Sequence, residues 1–270
     1  MNPSITYILS LDHSGSTFLQ YLLATQTHFL GIGEVNQLAK GRGWDDGDRV
    51  CSCGELLSNC QVWQTVESIS RSNAIEWYRE LTSFLQQKYP QFTHWIDSSK
   101  SFEGLEPWLQ LHREGAISDI RVLFLVRDVR GWAVSDRKTR QRKGRDSRPL
   151  ALSMLYWWQV QRQIINQLTR RNLTYQIVSY ERLVFQTHHA LCRILKFHSL
   201  HLEMKDWLTQ LQSDRSVVHD VFGNRMKNNP KHRTAITYDE SWQYCISVNI
   251  LASLLIPVWQ LNAQLHQEEL

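Results

Sequence analysis

Apolar residues along this chain fall into two patterns that alternate from end to end. The first is the short run. Ile5-Thr-Tyr-Ile-Leu9, Thr93-His-Trp-Ile96, Arg121-Val-Leu-Phe-Leu-Val126 and Thr174-Tyr-Gln-Ile-Val178 are too short for helices and rich in β-branched and aromatic residues. They read as buried strands of a parallel sheet. The second pattern is the helical stripe. Residues 74–89 carry Ile75, Tyr78, Leu81, Leu85 and Tyr89, and residues 151–168 carry Leu152, Leu155, Trp158, Ile164, Ile165 and Leu168, spacings that gather apolar groups mainly on one helix face. Phe18-Leu-Gln-Tyr-Leu-Leu-Ala24 is helix-like as well. Strands separated by helical segments predict βαβ units, hence an α/β fold with a parallel sheet flanked by helices, and 270 residues fit one domain over 1–270.

Two stretches break the pattern. Residues 41–60 are rich in Gly, Asp and Cys and have no periodicity, which predicts an irregular excursion over the sheet edge. Residues 137–149 hold Arg137, Lys138, Arg140, Arg142, Lys143, Arg145 and Arg148 before Pro149, which predicts a basic flap.

Each apolar run is followed by polar residues: Ser10 to Thr17, Asp97-Ser-Ser-Lys100, Arg127-Asp128, and Ser179-Tyr180-Glu181. In parallel sheets ligands bind outside the carboxyl ends of the strands, so these four sets converge on one edge. The first, Ser10-Leu-Asp-His-Ser-Gly-Ser-Thr17, is a small-residue turn that opens a helix, where backbone N–H groups and the helix dipole together favour an anion. Aligned on Gly15, the ATP-type pattern G-x-x-x-x-G-K-[ST] would need glycine at position 10 and lysine at position 16; this chain has Ser10 and Ser16. The loop is therefore suited to one phosphate-like group in a nucleotide whose reactive end is served by something other than a loop lysine and its metal.

Composition narrows the partners. Hydrophobic residues make up 42% and charged residues 21%, as in an ordinary globular protein, and the net charge of +4 favours anionic ligands without demanding nucleic acid. Eleven tryptophans offer planar surfaces to a base or a sugar, although core packing is the commoner use of Trp. The first strand begins within a few residues of Met1, and Pro257 and polar residues interrupt the apolar run Ile246–Ile256, so a cytoplasmic protein with no membrane span is expected. Five cysteines fit a reducing compartment.

Taken together, the motifs resemble the sulfotransferases that use 3′-phosphoadenosine 5′-phosphosulfate (PAPS), particularly the bacterial carbohydrate-type members and the tyrosylprotein group. The residues that carry the resemblance are His13-Ser-Gly-Ser-Thr17, Asp97-Ser-Ser-Lys100, Arg127-Asp-Val-Arg130 with Ser135, Tyr180-Glu181, Gly223-Asn-Arg-Met-Lys227 and Asp239-Glu-Ser-Trp242, in the family's order from about residue 5 to 245. His13 stands where the family usually has Arg or Lys, and Val129 where it has Pro. The resemblance implies a P-loop-type sheet, with His13, Ser14, Gly15, Ser16 and Thr17 on the 5′-phosphosulfate and Arg127 and Ser135 on the 3′-phosphate. Tyr180 would lie beside the sugar-phosphate, with Arg225 and Lys227 on a late loop over the nucleotide. It further implies Glu34 as catalytic base, about twenty residues beyond the loop, and Lys100 as the charge that meets the bridging oxygen as the sulfuryl group departs.

Every one of these assignments has a plainer competitor. Ser and Thr before an apolar run also describe an N-cap turn; Arg127 has Asp128 beside it to pair with. Glu34 is equally a carboxylate bonding loop amides, Lys100 a solvated lysine or the partner of Asp97, Tyr180 a core residue, and Arg225 and Lys227 simply exposed. Cys51-Ser-Cys53-Gly with Cys60 and Trp63 also resembles a stretch of bacterial sulfotransferases, but C-x-C spacing with no obvious fourth ligand predicts a local disulfide or free thiols and no metal. The basic stretch lacks interleaved aromatics, which favours a flap over an acceptor rather than a nucleic-acid surface.

The expectation is thus a PAPS-dependent sulfotransferase needing no metal, acting on a hydroxyl or amine of a sugar, peptide tyrosine, lipid or small metabolite. The alternatives are a phosphotransferase, which predicts dependence on ATP and Mg²⁺, and a non-enzymatic polyanion-binding module.

Overall fold

The structure is a computed structural model, described here over residues 2–69, 71, 73–200, 217–224, 227 and 236–267. Five strands form one sheet in the order β2-β3-β1-β4-β5: β1 (Ser4–Ser10), β2 (Phe29–Gly33), β3 (His94–Lys100), β4 (Asp119–Val126) and β5 (Tyr175–Ser179). Strand β3 pairs in parallel with both β1 and β2. Between the strands lie α1 (Ser16–Ala24), α2 (Val35–Ala39), α3 (Trp63–Glu67), α4 (Ala74–Lys88), α5 (Phe102–Arg113), α6 (Val129–Arg142) and α7 (Leu150–Arg170). After β5 come α8 (Tyr180–Phe185), α9 (Thr187–Phe197), α10 (Ile246–Leu254) and α11 (Ile256–Gln267).

Local chemistry accounts for the boundaries. Every residue of β1 and β2 is buried, which is why those runs lack polar alternation. Helix α4 starts where Asn73 accepts hydrogen bonds from the N–H groups of Ile75 and Glu76, α5 where Ser101 accepts from Gly104, and α6 where Asp128 accepts from Arg130. The longest extension beyond an apolar run is in β3. Strand β3 continues through Asp97-Ser-Ser-Lys100 because the fully buried Asp97 carboxylate is satisfied in place, by the Ser99 N–H at 2.8 Å and the Trp108 indole N–H at 2.7 Å.

Residues 41–60 hold only a 3₁₀ turn at Leu57–Asn59 and an isolated antiparallel bridge between Val50 and Leu56. The basic stretch divides. Arg137 to Arg142 complete α6, where cations suit the carboxyl end of the helix dipole, and 143–149 are irregular.

The chain forms two compact units. One comprises residues 1–9, 16–122 and 201–235; in it α1 packs on β2 and β3, and α4 packs on α5. The other comprises residues 10–15, 123–200 and 236–270, with α6, α7, α10 and α11 packed on one another. Trp63, Trp77, Trp95, Trp108, Trp132 and Trp157 are all fully buried or nearly so, so most of the described tryptophans serve as core. No single described helix is long and apolar enough to cross a membrane; α10 and α11 have that length only together, and they bend by 96°.

Candidate active site

In the first unit, the turn after β2 and the end of β3 bring Glu34 and Lys100 into contact. The Lys100 ammonium donates to Glu34 Oε1 at 2.5 Å, and their side chains are only 13% and 10% exposed. Lys100 therefore pairs with Glu34, while Asp97 is turned inward to Trp108. Two backbone features shape this corner. Lys100 has φ of +68°, a left-handed conformation that is costly for a lysine and tends to be retained where it aims a functional group. Gly33 has φ of +71°, and a Cβ there would come within 2.7 Å of an Asp220 carboxylate oxygen. Burial pushes Asp220 up to about 7, against the pull of the Lys227 ammonium. Lys227 is itself buried, its ammonium donating to the carbonyls of Asp220 and Val221, and burial holds its pKa below the ordinary lysine range. The late loop also reaches the start of α1: the Asn224 N–H donates to Thr17 Oγ1 at 3.1 Å. Arg225 lies outside the described residues.

In the second unit, the loop after β1 and the polar end of β4 form another cluster. His13 has φ of +69° and Gly15 of +99°, so the loop turns through two left-handed residues before α1. Tyr180 packs close against it: a Cβ on Gly15 would fall 2.6 Å from the ring. The Arg127 guanidinium sits 4.7 Å from the Tyr180 ring centroid, donates to the His13 carbonyl at 3.1 Å and pairs with Asp239 at 3.1 Å. Asp128 is claimed instead by Arg130 through two contacts at 2.9 Å. Burial pushes Asp239 up, but the Ser241 hydroxyl and the Arg127 charge overcome it and leave the carboxyl below its ordinary value. Ser135 is half-buried in the second turn of α6, as its spacing from Arg127 predicts. Alongside runs a pocket of about 180 Å³ lined by His13, Trp132, Arg140, Lys143, Arg145 and Arg148, among others.

Ser10 Oγ at the end of β1, Ser14 Oγ in the loop that follows and Arg127 Nε are buried without a hydrogen-bond partner among the described residues, as is Ser153 Oγ in α7. Native interiors seldom leave such atoms unpaired, and three of these four lie on the left-handed loop or at the polar end of β4.

The family model of the sulfotransferase domain matches residues 3–243. The chain belongs to the sulfotransferase family. Two solved structures share this sulfotransferase fold over nearly the full length of both partners. The sulfotransferase domain from the curacin biosynthetic pathway aligns with a TM-score of 0.57 at 20% identity, covering 94% of this chain and 97% of that one. The sulfotransferase domain from the Synechococcus PCC 7002 olefin synthase aligns with a TM-score of 0.56 at 22% identity, covering 97% and 94%. No curated protein sequence matches the chain.

Sequence reasoning missed one partner of the predicted residues in each unit. Asp220 carried no signal of its own, although it lies only three residues before the Gly223-Asn-Arg-Met-Lys227 motif. The pairing of Asp239 with Arg127 was partly signalled, since Asp239 opens one of the motifs that carry the resemblance.

Proposed function

We propose that this sulfotransferase uses PAPS as donor and transfers its sulfuryl group to a hydroxyl or amine of an acceptor, with Glu34 as general base. The observation that carries this reading is the 2.5 Å contact between Glu34 and Lys100. A carboxylate and an ammonium held together and largely shielded from water can act in concert. As Glu34 takes the proton of the acceptor, it loses the charge that holds Lys100, and the ammonium becomes available to negative charge developing nearby. Bound PAPS supplies an activated sulfuryl group whose departure leaves that charge on a phosphate oxygen.

The anion-holding residues fit such a nucleotide. Ser14 and Ser10 supply buried hydroxyls without a present partner, and the left-handed turn at His13 and Gly15 supplies backbone N–H groups. Ser16 and Thr17 open α1, where the dipole favours a phosphate. Arg127 and Ser135 would hold the 3′-phosphate, Arg127 through the planar fork that suits phosphate. Tyr180 would cover the sugar, and Lys227 would support the late loop from within, through the carbonyls of Asp220 and Val221.

Calorimetry with 3′-phosphoadenosine 5′-phosphate and with 5′-AMP tests the reading. A charge-assisted arginine contact is worth about 1.5–3 kcal/mol, so the 3′-phosphate should raise affinity at least about tenfold, and Arg127→Ala should erase most of that preference. Equal affinities for the two nucleotides in the unmodified protein would remove the donor assignment.

A further inference from the structure

Cys51, Cys53 and Cys60 lie in the irregular excursion, and His219 lies in the segment 217–224, yet their four ligand atoms all fall within 4.8 Å of one another. Cys53 Sγ is 3.7 Å from Cys60 Sγ; His219 Nδ1 is 3.4 Å from Cys60 Sγ and 3.9 Å from Cys51 Sγ. A tetrahedral zinc ion, with Zn–S of about 2.3 Å and Zn–N of about 2.0–2.1 Å, holds its ligand atoms roughly 3.5–3.8 Å apart. Disulfide sulfurs would instead be about 2.05 Å apart. The histidine is the fourth ligand that the C-x-C spacing lacked. It was invisible in the sequence because 159 positions separate it from Cys60.

The surroundings are built to hold these four groups still. His219 Nε2 lies 3.1 Å from the Tyr89 hydroxyl; with the ring proton donated there, Nδ1 turns its lone pair to the sulfurs, the arrangement by which a ligating histidine is oriented from behind. Ser52, between two of the cysteines, is tied to the histidine segment three times: its N–H donates to the Asp220 carbonyl, its hydroxyl to the Val218 carbonyl, and it accepts from the Asp220 N–H, all within 2.9 Å. Trp63 donates to the His219 carbonyl at 3.1 Å, and the His219 N–H donates to the Gly31 carbonyl at 2.8 Å. Cys51, Cys60 and His219 are buried and Cys53 is exposed, which leaves one side for an ion to enter.

We infer that Cys51, Cys53, Cys60 and His219 bind one Zn²⁺ ion. Four protein ligands leave no open position, so the ion is structural. Binding releases three thiol protons, and three thiolates with a neutral imidazole leave the loaded site with one net negative charge. The ion staples the excursion to the segment whose Asn224 meets Thr17. The value of that link for catalysis rests on the proposed function; the metal assignment does not.

Metal analysis of the full chain, purified under reducing conditions from zinc-supplemented medium, should find one zinc per chain. After chelation, Co²⁺ should restore binding with the thiolate charge-transfer and ligand-field bands of a tetrahedral site. Cys53→Ser, at the exposed ligand where folding is least at risk, should weaken zinc at least about tenfold, and Tyr89→Phe, which removes only the hydroxyl behind His219, by about 10–100-fold. Three outcomes would each overturn the inference: protein that takes up neither Zn²⁺ nor Co²⁺, a Cys53–Cys60 disulfide in natively alkylated protein, or zinc affinity unchanged in both variants. Nucleotide calorimetry on the same samples keeps a failure here distinct from a failure of the donor assignment.

Discussion

Glu34 and Lys100 make the sharpest claim at the level of single residues, because each is the other's partner in the resting protein. Glu34→Gln keeps the shape and one acceptor oxygen but can no longer take a proton. The transfer rate should fall by about two orders of magnitude or more, with nucleotide affinity nearly unchanged. Stopped assays at saturating donor, beside calorimetry, separate the two effects, and undiminished turnover would take Glu34 out of the mechanism. Both residues were singled out in the sequence through the family resemblance, with the two glycines before Glu34 and the strand end at Lys100 as support. Their contact was not. Which cation a carboxylate selects depends on backbone direction, and here the left-handed turn at Lys100 decides it.

Among the elements, strands and long helices were legible because burial writes its period directly into the sequence. The predicted segments 74–89 and 151–168 correspond to Ala74–Lys88 and Leu150–Arg170. What failed to register were polar residues satisfied inside an element, as in β3, and contacts across long separations. The docking of α11 is of the second kind. Asn262 Oδ1 accepts the Val129 N–H at 2.9 Å, satisfying one of the amides that α6 leaves unpaired at its start, and both residues are buried. Asn262→Leu keeps the volume but strands that N–H, and should destabilise the protein by about 1–3 kcal/mol in urea unfolding. Unchanged stability would mean that water reaches the amide once the side chain is gone.

At the scale of the whole molecule, the buried Asp97 and the half-buried His94 on β3 pull stability in opposite directions with pH. Burial pushes Asp97 up to about 7, so the fold holds a proton there that the unfolded chain gives up; this contribution is full at acid pH and is lost as pH rises from about 4 through 7. Burial, aided by His28 and Arg121, pulls His94 down to about 4, so its contribution is present above the ordinary histidine value and is lost as pH falls from about 6.5 through 4. The two slopes largely cancel in the unmodified protein, leaving the decline that Asp220, also pushed up to about 7, imposes over the same range. Relative to the unmodified protein, His94→Gln should steepen the decline of unfolding free energy between pH 4 and 6.5, and Asp97→Asn should flatten it between pH 4 and 7. Denaturant curves across that range would show both, and parallel profiles for all three proteins would refute the assignment. A different consequence follows from the pair formed by Arg127 and Asp239. The guanidinium already holds an internal anion. If the nucleotide's 3′-phosphate binds here as proposed, its capture is a swap of counterions, so its ionic-strength dependence should be shallower than the charges of the ligand alone would suggest, and stray inorganic anions must first outcompete a tethered carboxylate.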